Sequence, residues 1–192
     1  MKTIEIIGFK RANLTKAQLN QLRFEGNVPC VLYGSGVNEQ FYVPVILFRD
    51  LVYTQEAAFA ELNIEGKIYK AIKQEVQFHP VNDMILHADF LLLEDNKEVK
   101  MEIPVKLTGT PVGVTKGGKL VQRLQKLVVK ALPKNMPEII TLDITELDVQ
   151  KSARVGDIKT NNYTILKAAA VPVASVELTR AMKGTGAEAE KK

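Results

Sequence analysis

The chain is poor in the residues that usually carry chemistry. It has a single cysteine, Cys30, so no disulfide can close within it. Its two histidines, His79 and His87, have no cysteine or third histidine near them in sequence. Structural zinc takes about four protein ligands, and catalytic zinc about three with one open position. No metal and no other cofactor is therefore expected. No serine sits in a G-x-S-x-G elbow. Ser35 lies in Gly34-Ser35-Gly36, and no Gly-Lys-Ser/Thr follows to make a phosphate-binding loop. Apolar runs fall short of the roughly 18 residues that cross a bilayer. The start, MKTIEIIGFKR, lacks the pattern of a signal peptide. The expectation is a cytoplasmic protein with no membrane partner, no small-molecule substrate and no enzymatic activity.

What is present is an ordinary globular mixture. The 192 residues are 46% hydrophobic and 25% charged, enough for one large domain or two of about a hundred residues each. Charge is unevenly spread. Residues 1–95 hold 9 basic and 12 acidic side chains, a net −3, while residues 96–192 hold 17 and 10, a net +7. Gly113 to Pro137 carries Lys116, Lys119, Arg123, Lys126, Lys130 and Lys134 with no acidic residue. That run is a candidate phosphate contact, the alternative being a solvated face.

The densest polar pattern is Gln74 to Phe90, Q-E-V-Q-F-H-P-V-N-D-M-I-L-H-A-D-F. Pro80-Val81-Asn82-Asp83 is turn-like, so two strands are expected around it. Alternation puts Lys73, Glu75, Gln77 and His79 on one face of the first arm. On the second arm Ile85, His87 and Asp89 share one face, and Leu86, Ala88 and Phe90 the other. Burial of the apolar face would turn His87 and Asp89 outward beside Gln77 and His79. Such a plate of amide, imidazole and carboxylate suits the polar edges of another molecule. A hydrolase using His79, His87 and Asp89 is the rival, and it requires all three around one pocket.

Along the rest of the chain, Thr3 to Gly8 reads as a strand. Thr15-x-x-Gln18 is a capping box opening a helix from Lys16 to Glu25, with Gly26 as its stop and Leu19, Leu22 and Phe24 as apolar contacts. Val31 to Tyr33 and Phe41 to Val45 are strands, and Phe48 to Ala60 a short helix. Ala60 to Ile64 and Lys67 to Phe78 form a hairpin across Glu65-Gly66. About six short strands with few helices suggest a small barrel. The polar stretch Glu94 to Glu98 is the expected boundary. Beyond it Val99 to Leu107, Lys126 to Leu132, Glu138 to Ile144 and Val171 to Leu178 read as strands. The fold class is thus mainly β with short helices. An N-terminal six-stranded β-barrel domain (1–95) is followed by a second β-rich domain (96–180) and a disordered tail (181–192).

Three segments in this order and spacing carry a resemblance: L-R-F-E-G-N-V-P-C-V-L-Y-G, Q-E-V-Q-F-H-P and H-A-D-F. Together they resemble the bacterial large-subunit ribosomal protein twenty-five family, the 5S rRNA-binding family also called general stress protein CTC. The two-domain length and G-V-T-K-G-G-K-L are similar to its long form, and the likeness spans about residues 1–180. It implies a six-stranded barrel similar to the anticodon-binding domain of glutaminyl-tRNA synthetase, bound to the loop E region of 5S rRNA from the minor-groove side. It implies a second, β-rich module on the ribosome surface, with 23S rRNA and neighbouring ribosomal proteins as candidate partners. A stress-related RNA-binding role off the ribosome is the alternative within the same class.

By motif position, the resemblance places RNA contacts at Arg11, Lys16, Arg23, Tyr33, Gln74, Gln77, His87 and Asp89. The chemistry of these side chains is compatible. Arg11, Lys16 and Arg23 can neutralise phosphates, and a Gln77 amide donates and accepts at once. Asp89 can accept from a guanine amino group or hold His87 in one tautomer. Tyr33 can stack or bond to a sugar. The family often carries more basic residues around Thr15-Lys16-Ala17, Asn20, Gln21 and Phe78. Fewer phosphate contacts are therefore expected from this domain, with Lys116, Lys119, Arg123 and Lys126 as a possible secondary set.

Overall fold

The computed structural model of the chain describes residues 1–12 and 14–179; the expected tail at 181–192 lies outside them. The described residues are mainly β, with a closed six-stranded barrel followed by further sheets. Two compact units are distinguished. One comprises Met1–Met101 with Leu132–Glu138; the other comprises Glu102–Ala131 and the chain from Ile139 onward.

The barrel is built from β1 (Lys2–Lys10), β2 (Asn27–Gly34), β3 (Val37–Pro44), β4 (Ala58–Ile64), β5 (Lys67–Phe78) and β6 (Ile85–Leu92). The strands close in the order β1-β3-β2-β6-β5-β4. Strict alternation drives this. In β4 every second residue, Ala58, Ala60, Leu62 and Ile64, is buried, and in β2 Val28, Cys30 and Leu32 face inward. Phe41, Phe48 and Phe90 fill the centre, with ring centroids 5.9 Å apart for Phe41–Phe90 and 6.3 Å for Phe48–Phe90. Each such ring, fully withdrawn from water, contributes about 1.5–3 kcal/mol. Gly8 makes room for them, since a Cβ there would lie 2.7 Å from Cδ2 of Phe41. Burial also pushes the Cys30 thiol far above its ordinary range, so the one cysteine is an inert core residue. Glu65 and Gly66 both have positive φ, +50° and +87°. This is the two-residue turn that matches strand twist between β4 and β5.

The helix expected from the capping box is α1 (Lys16–Phe24). Thr15 Oγ1 accepts from the Gln18 amide, and Gln18 Oε1 accepts from the Thr15 amide at 2.9 Å. Leu14, Leu19 and Leu22 are half-buried, but Phe24 is 89% exposed. It was expected to pack. At about 100° per residue, Phe24 lies some 200° from Leu22 and so faces away from the apolar side. The helix expected over Phe48 to Ala60 is cut short to one turn, α2 (Arg49–Val52), after a 3-10 turn. Phe59 belongs to β4, because the two-residue period of 58–64 outweighs any helical one.

Two bulges reset the faces of the β5–β6 pair. Lys73 pairs with Phe90 and Val76 with Ala88, so Gln74 and Glu75 together face the single residue Asp89. Beyond, Gln77 pairs with His87 but Phe78 with Ile85, which makes Leu86 the extra residue. A one-residue insertion inverts every side chain past it. Lys73 is therefore not on the Gln77 face as expected; it pairs with the core residue Phe90, and its Nζ donates to the Leu51 carbonyl at 3.0 Å. Ile85, expected outward, is buried, while Leu86, expected in the core, is only half-buried.

Beyond the barrel, β7 (Val99–Thr108), β8 (Lys119–Gln122), β9 (Lys126–Ala131), β10 (Ile140–Asp143), β11 (Ser152–Arg154), β12 (Thr164–Ile165) and β13 (Pro172–Glu177) form two sheets. Their orders are β10-β7-β9-β12 and β11-β13-β8. The strands β8, β11 and β12 are two to four residues long. They are held by pairing, not by a local pattern.

Candidate nucleic-acid interface

The outer face of the barrel around β6 gathers most of the residues singled out in the sequence. Ala88 and Phe90 point inward, so His87 and Asp89 point out. Gln77 stands directly opposite His87 on β5. On the other side β2 runs parallel to β6, with Val31 beside Asp89 and Tyr33 beside Leu91. Tyr33 is 39% exposed. Gln74 sits in the bulge that faces Asp89.

The bulge at Leu86 has a further consequence. A bulged residue loses its ladder partner, and the Leu86 carbonyl is taken instead by Arg23 Nε at 3.0 Å. Helix α1 is thereby tied to β6, and the rest of the guanidinium stays beside the plate. Its Nη1 donates to Asn20 Oδ1 at 3.2 Å. Lys16, Asn20 and Arg23 follow the i, i+4, i+7 spacing of one helical face. Lys16 is exposed and carries no ion pair among the described residues.

Arg11 follows β1, and its amide donates to the Gln40 carbonyl at 3.1 Å. Its Nε is shut off from solvent with no hydrogen-bond partner among the described residues. Burial, deepened by the charge of Arg23, draws Arg11 below its ordinary value; an arginine remains charged all the same. The two guanidinium groups act on His87 as well. Burial is the main cause that lowers His87, Asp89 opposes it, and Arg11 and Arg23 lower it further. The imidazole is neutral at pH 7. Its Nδ1 lies 3.0 Å from Asp89 Oδ1, so Nδ1 carries the proton and donates. Nε2 is left as a bare acceptor. Burial, then Asp89 and Glu75, raise Tyr33, whose hydroxyl stays a donor.

The site is thus a rigid surface with fixed acceptors at His87 and Asp89, amides at Gln74 and Gln77, a phenol at Tyr33, and cations at Arg11, Arg23 and Lys16. His79 is not part of it. Its Nδ1 accepts from the Val81 amide at 3.3 Å and holds the turn, which breaks up the hydrolase constellation. No cluster suited to a metal occurs among the described residues. No helix among them is long and apolar enough to cross a membrane.

The basic run is less free than its sequence suggests. Lys116 Nζ lies 2.9 and 3.1 Å from the oxygens of Asp148. Arg123 bonds Glu177 at 2.8 Å and Ser175 at 3.2 Å. Lys119 and Lys126 are exposed on two different sheets. The fold therefore supplies from distant segments the acids that the run itself lacks.

One group of residues escaped the sequence reading. In β3, Asn38 and Gln40 point outward while Phe41 and Val43 enter the core. Gln40 pairs with Val31, and Asn38 with Tyr33. The alternation N-E-Q-F-Y-V held the signal, but only strand pairing shows what lies beside it.

A small closed barrel with a polar, arginine-flanked outer face has the form of a binding protein. Comparison with known proteins gives the same class. Residues 6–90 match the Ribosomal L25p family, and residues 98–180 match the Ribosomal protein TL5, C-terminal domain. The large ribosomal subunit protein bL25 of Cytophaga hutchinsonii is 57% identical over 192 residues, covering 100% of each chain. That of Amoebophilus asiaticus is 53% identical over 192 residues, covering 100% of this chain and 98% of the relative. That of Bacteroides thetaiotaomicron is 39% identical over 196 residues, covering 100% of both. The chain belongs to the bL25 family of large ribosomal subunit proteins. These are structural proteins of the ribosome, not enzymes.

Proposed function

We propose that this chain is a structural component of the large ribosomal subunit in the cytoplasm, and that its barrel binds 5S rRNA at loop E from the minor-groove side. The observation that carries the proposal is the register of β5, β6 and β2. It puts Gln77, His87, Asp89 and Tyr33 on one outer face, with Arg11 and Arg23 alongside. The minor groove of an RNA helix is wide and shallow and displays 2′-hydroxyls and base edges. A flat plate of fixed donors and acceptors fits such a surface better than a protruding helix would. In this proposal Nε2 of His87 accepts from a 2′-hydroxyl or guanine amino group, and Gln77 both donates and accepts. Arg11, Arg23 and Lys16 meet phosphates. Residues 1–95 are the RNA-binding domain, and residues 96–180 a second module against 23S rRNA or neighbouring proteins. Lys119 and Lys126 are its freest cations toward RNA, while Lys116 and Arg123 must first give up acidic partners.

The test is binding of the full chain to 5S rRNA across a salt series, against a 5S rRNA whose loop E is replaced by plain duplex. The expected result is affinity that depends on loop E, with a slope of log K on log salt of about −3 for three neutralised phosphates. Equal binding to both RNAs would refute the assignment.

A further inference from the structure

The barrel's strand order places β3 between two parts of the proposed RNA surface. Asp89 is on β6, next comes Val31 on β2, then Gln40 on β3, and then Arg11 beyond the end of β1. The β1–β3 register, Phe9 with Tyr42 and Lys10 with Phe41, carries on to Arg11 opposite Gln40. These four residues form one row across the outer face. Adjacent strands lie about 4.8 Å apart, so the backbones of Asp89 and Arg11 are about 14 Å apart along the row. A helix groove that touches both ends has to pass over Gln40. The next row repeats the relation, with Asn38 directly beside Tyr33.

Both β3 side chains are chemically ready. Neither amide has a hydrogen-bond partner among the described residues, and Gln40 is only half-buried on a strand of a closed barrel. A primary amide offers two donors and two acceptor lone pairs. That suits a 2′-hydroxyl or the edge of a non-canonical pair. We infer that Gln40, with Asn38 beside it, is a further RNA-reading residue of this interface, contacting sugar or base edges and not phosphate. The inference rests on the proposed 5S rRNA surface and extends it by one strand.

The test compares full-length variants on the same 5S rRNA and on its loop E replacement, after checking that each unfolds in urea at the wild-type midpoint. Gln40→Ala should weaken binding to 5S rRNA about three- to tenfold, the worth of a net hydrogen bond. Its salt slope should stay unchanged, since no phosphate contact is lost. Gln40→Glu keeps the size but replaces the donor with an anion, and should weaken binding more. Gln40→Ala should not alter the residual binding to the replaced RNA. Thr3→Ala, at the other end of β1, serves as the unaffected control. If Gln77→Ala and His87→Ala weaken binding while both Gln40 variants stay within twofold of wild type, the inference is overturned and the proposed function stands. If none of the four variants weakens binding, the proposed surface fails and the inference falls with it.

Discussion

Arg23 joins the fold to the interface, and its replacement separates two effects that are otherwise confounded. Its Nε holds the Leu86 carbonyl at 3.0 Å, and that carbonyl is free only because Leu86 is bulged. In Arg23→Ala the carbonyl loses a charged donor. Such a bond is worth about 1.5–3 kcal/mol when well buried. The group is part-buried, so water replaces some of the loss and about 1 kcal/mol is expected. For a chain of this length that lowers Tm by about 2–4 °C. Binding to 5S rRNA should suffer twice. One phosphate contact disappears, reducing the salt slope by about 1. The segment between Leu86 and His87 also loosens, which should lower affinity even at high salt, where phosphate contacts are screened. Arg23→Lys restores the charge and most of the slope but not the fork geometry, so part of the high-salt loss should persist. Thermal unfolding and fluorescence anisotropy at four salt concentrations would measure all of this. If Arg23→Ala melts as wild type and loses only its salt-dependent affinity, the bulge needs no support from α1 and the structural half of the argument is wrong.

Other outcomes follow from single features. His87 has its folded value below the unfolded one of about 6.5, so the folded chain binds fewer protons. Its contribution to stability is complete above pH 6.5 and is lost as pH falls through the folded value. Urea midpoints between pH 8 and 5 should therefore decline more in wild type than in His87→Gln. Gly8→Ala should destabilise the barrel by about 1–3 kcal/mol, because the new Cβ meets the fixed Phe41 ring; an unchanged urea midpoint would show that the ring can shift. Thr15→Ala removes the side-chain half of the capping box, leaving the Thr15 backbone amide on Gln18, and should cost about 1 kcal/mol, with amide exchange rising first in α1. Phe24→Ala should change stability by less than about 0.5 kcal/mol in urea unfolding, since the ring is solvated.

Local signals in the sequence were enough for the elements that depend on neighbours along the chain. The capping box marked α1, Glu65-Gly66 marked a hairpin, and alternation marked β7. The segments around His87 and Tyr33 were enough to identify the family, and with it a barrel. Pairing across strands lay beyond such signals. A bulge depends on which residue the partner strand presents. Thus alternation alone puts Lys73, Ile85 and Leu86 on the wrong faces, and the tie from Arg23 to Leu86 has no trace in sequence. The same holds for charge. Nothing near Lys116 or Arg123 announces Asp148 or Glu177, because ion pairs form between residues close in space whatever their separation along the chain. The face shared by Gln77, His87, Asp89 and Arg11 is likewise a product of barrel closure. Each side chain carries its chemistry from the sequence, but the strand order decides which of them stand together.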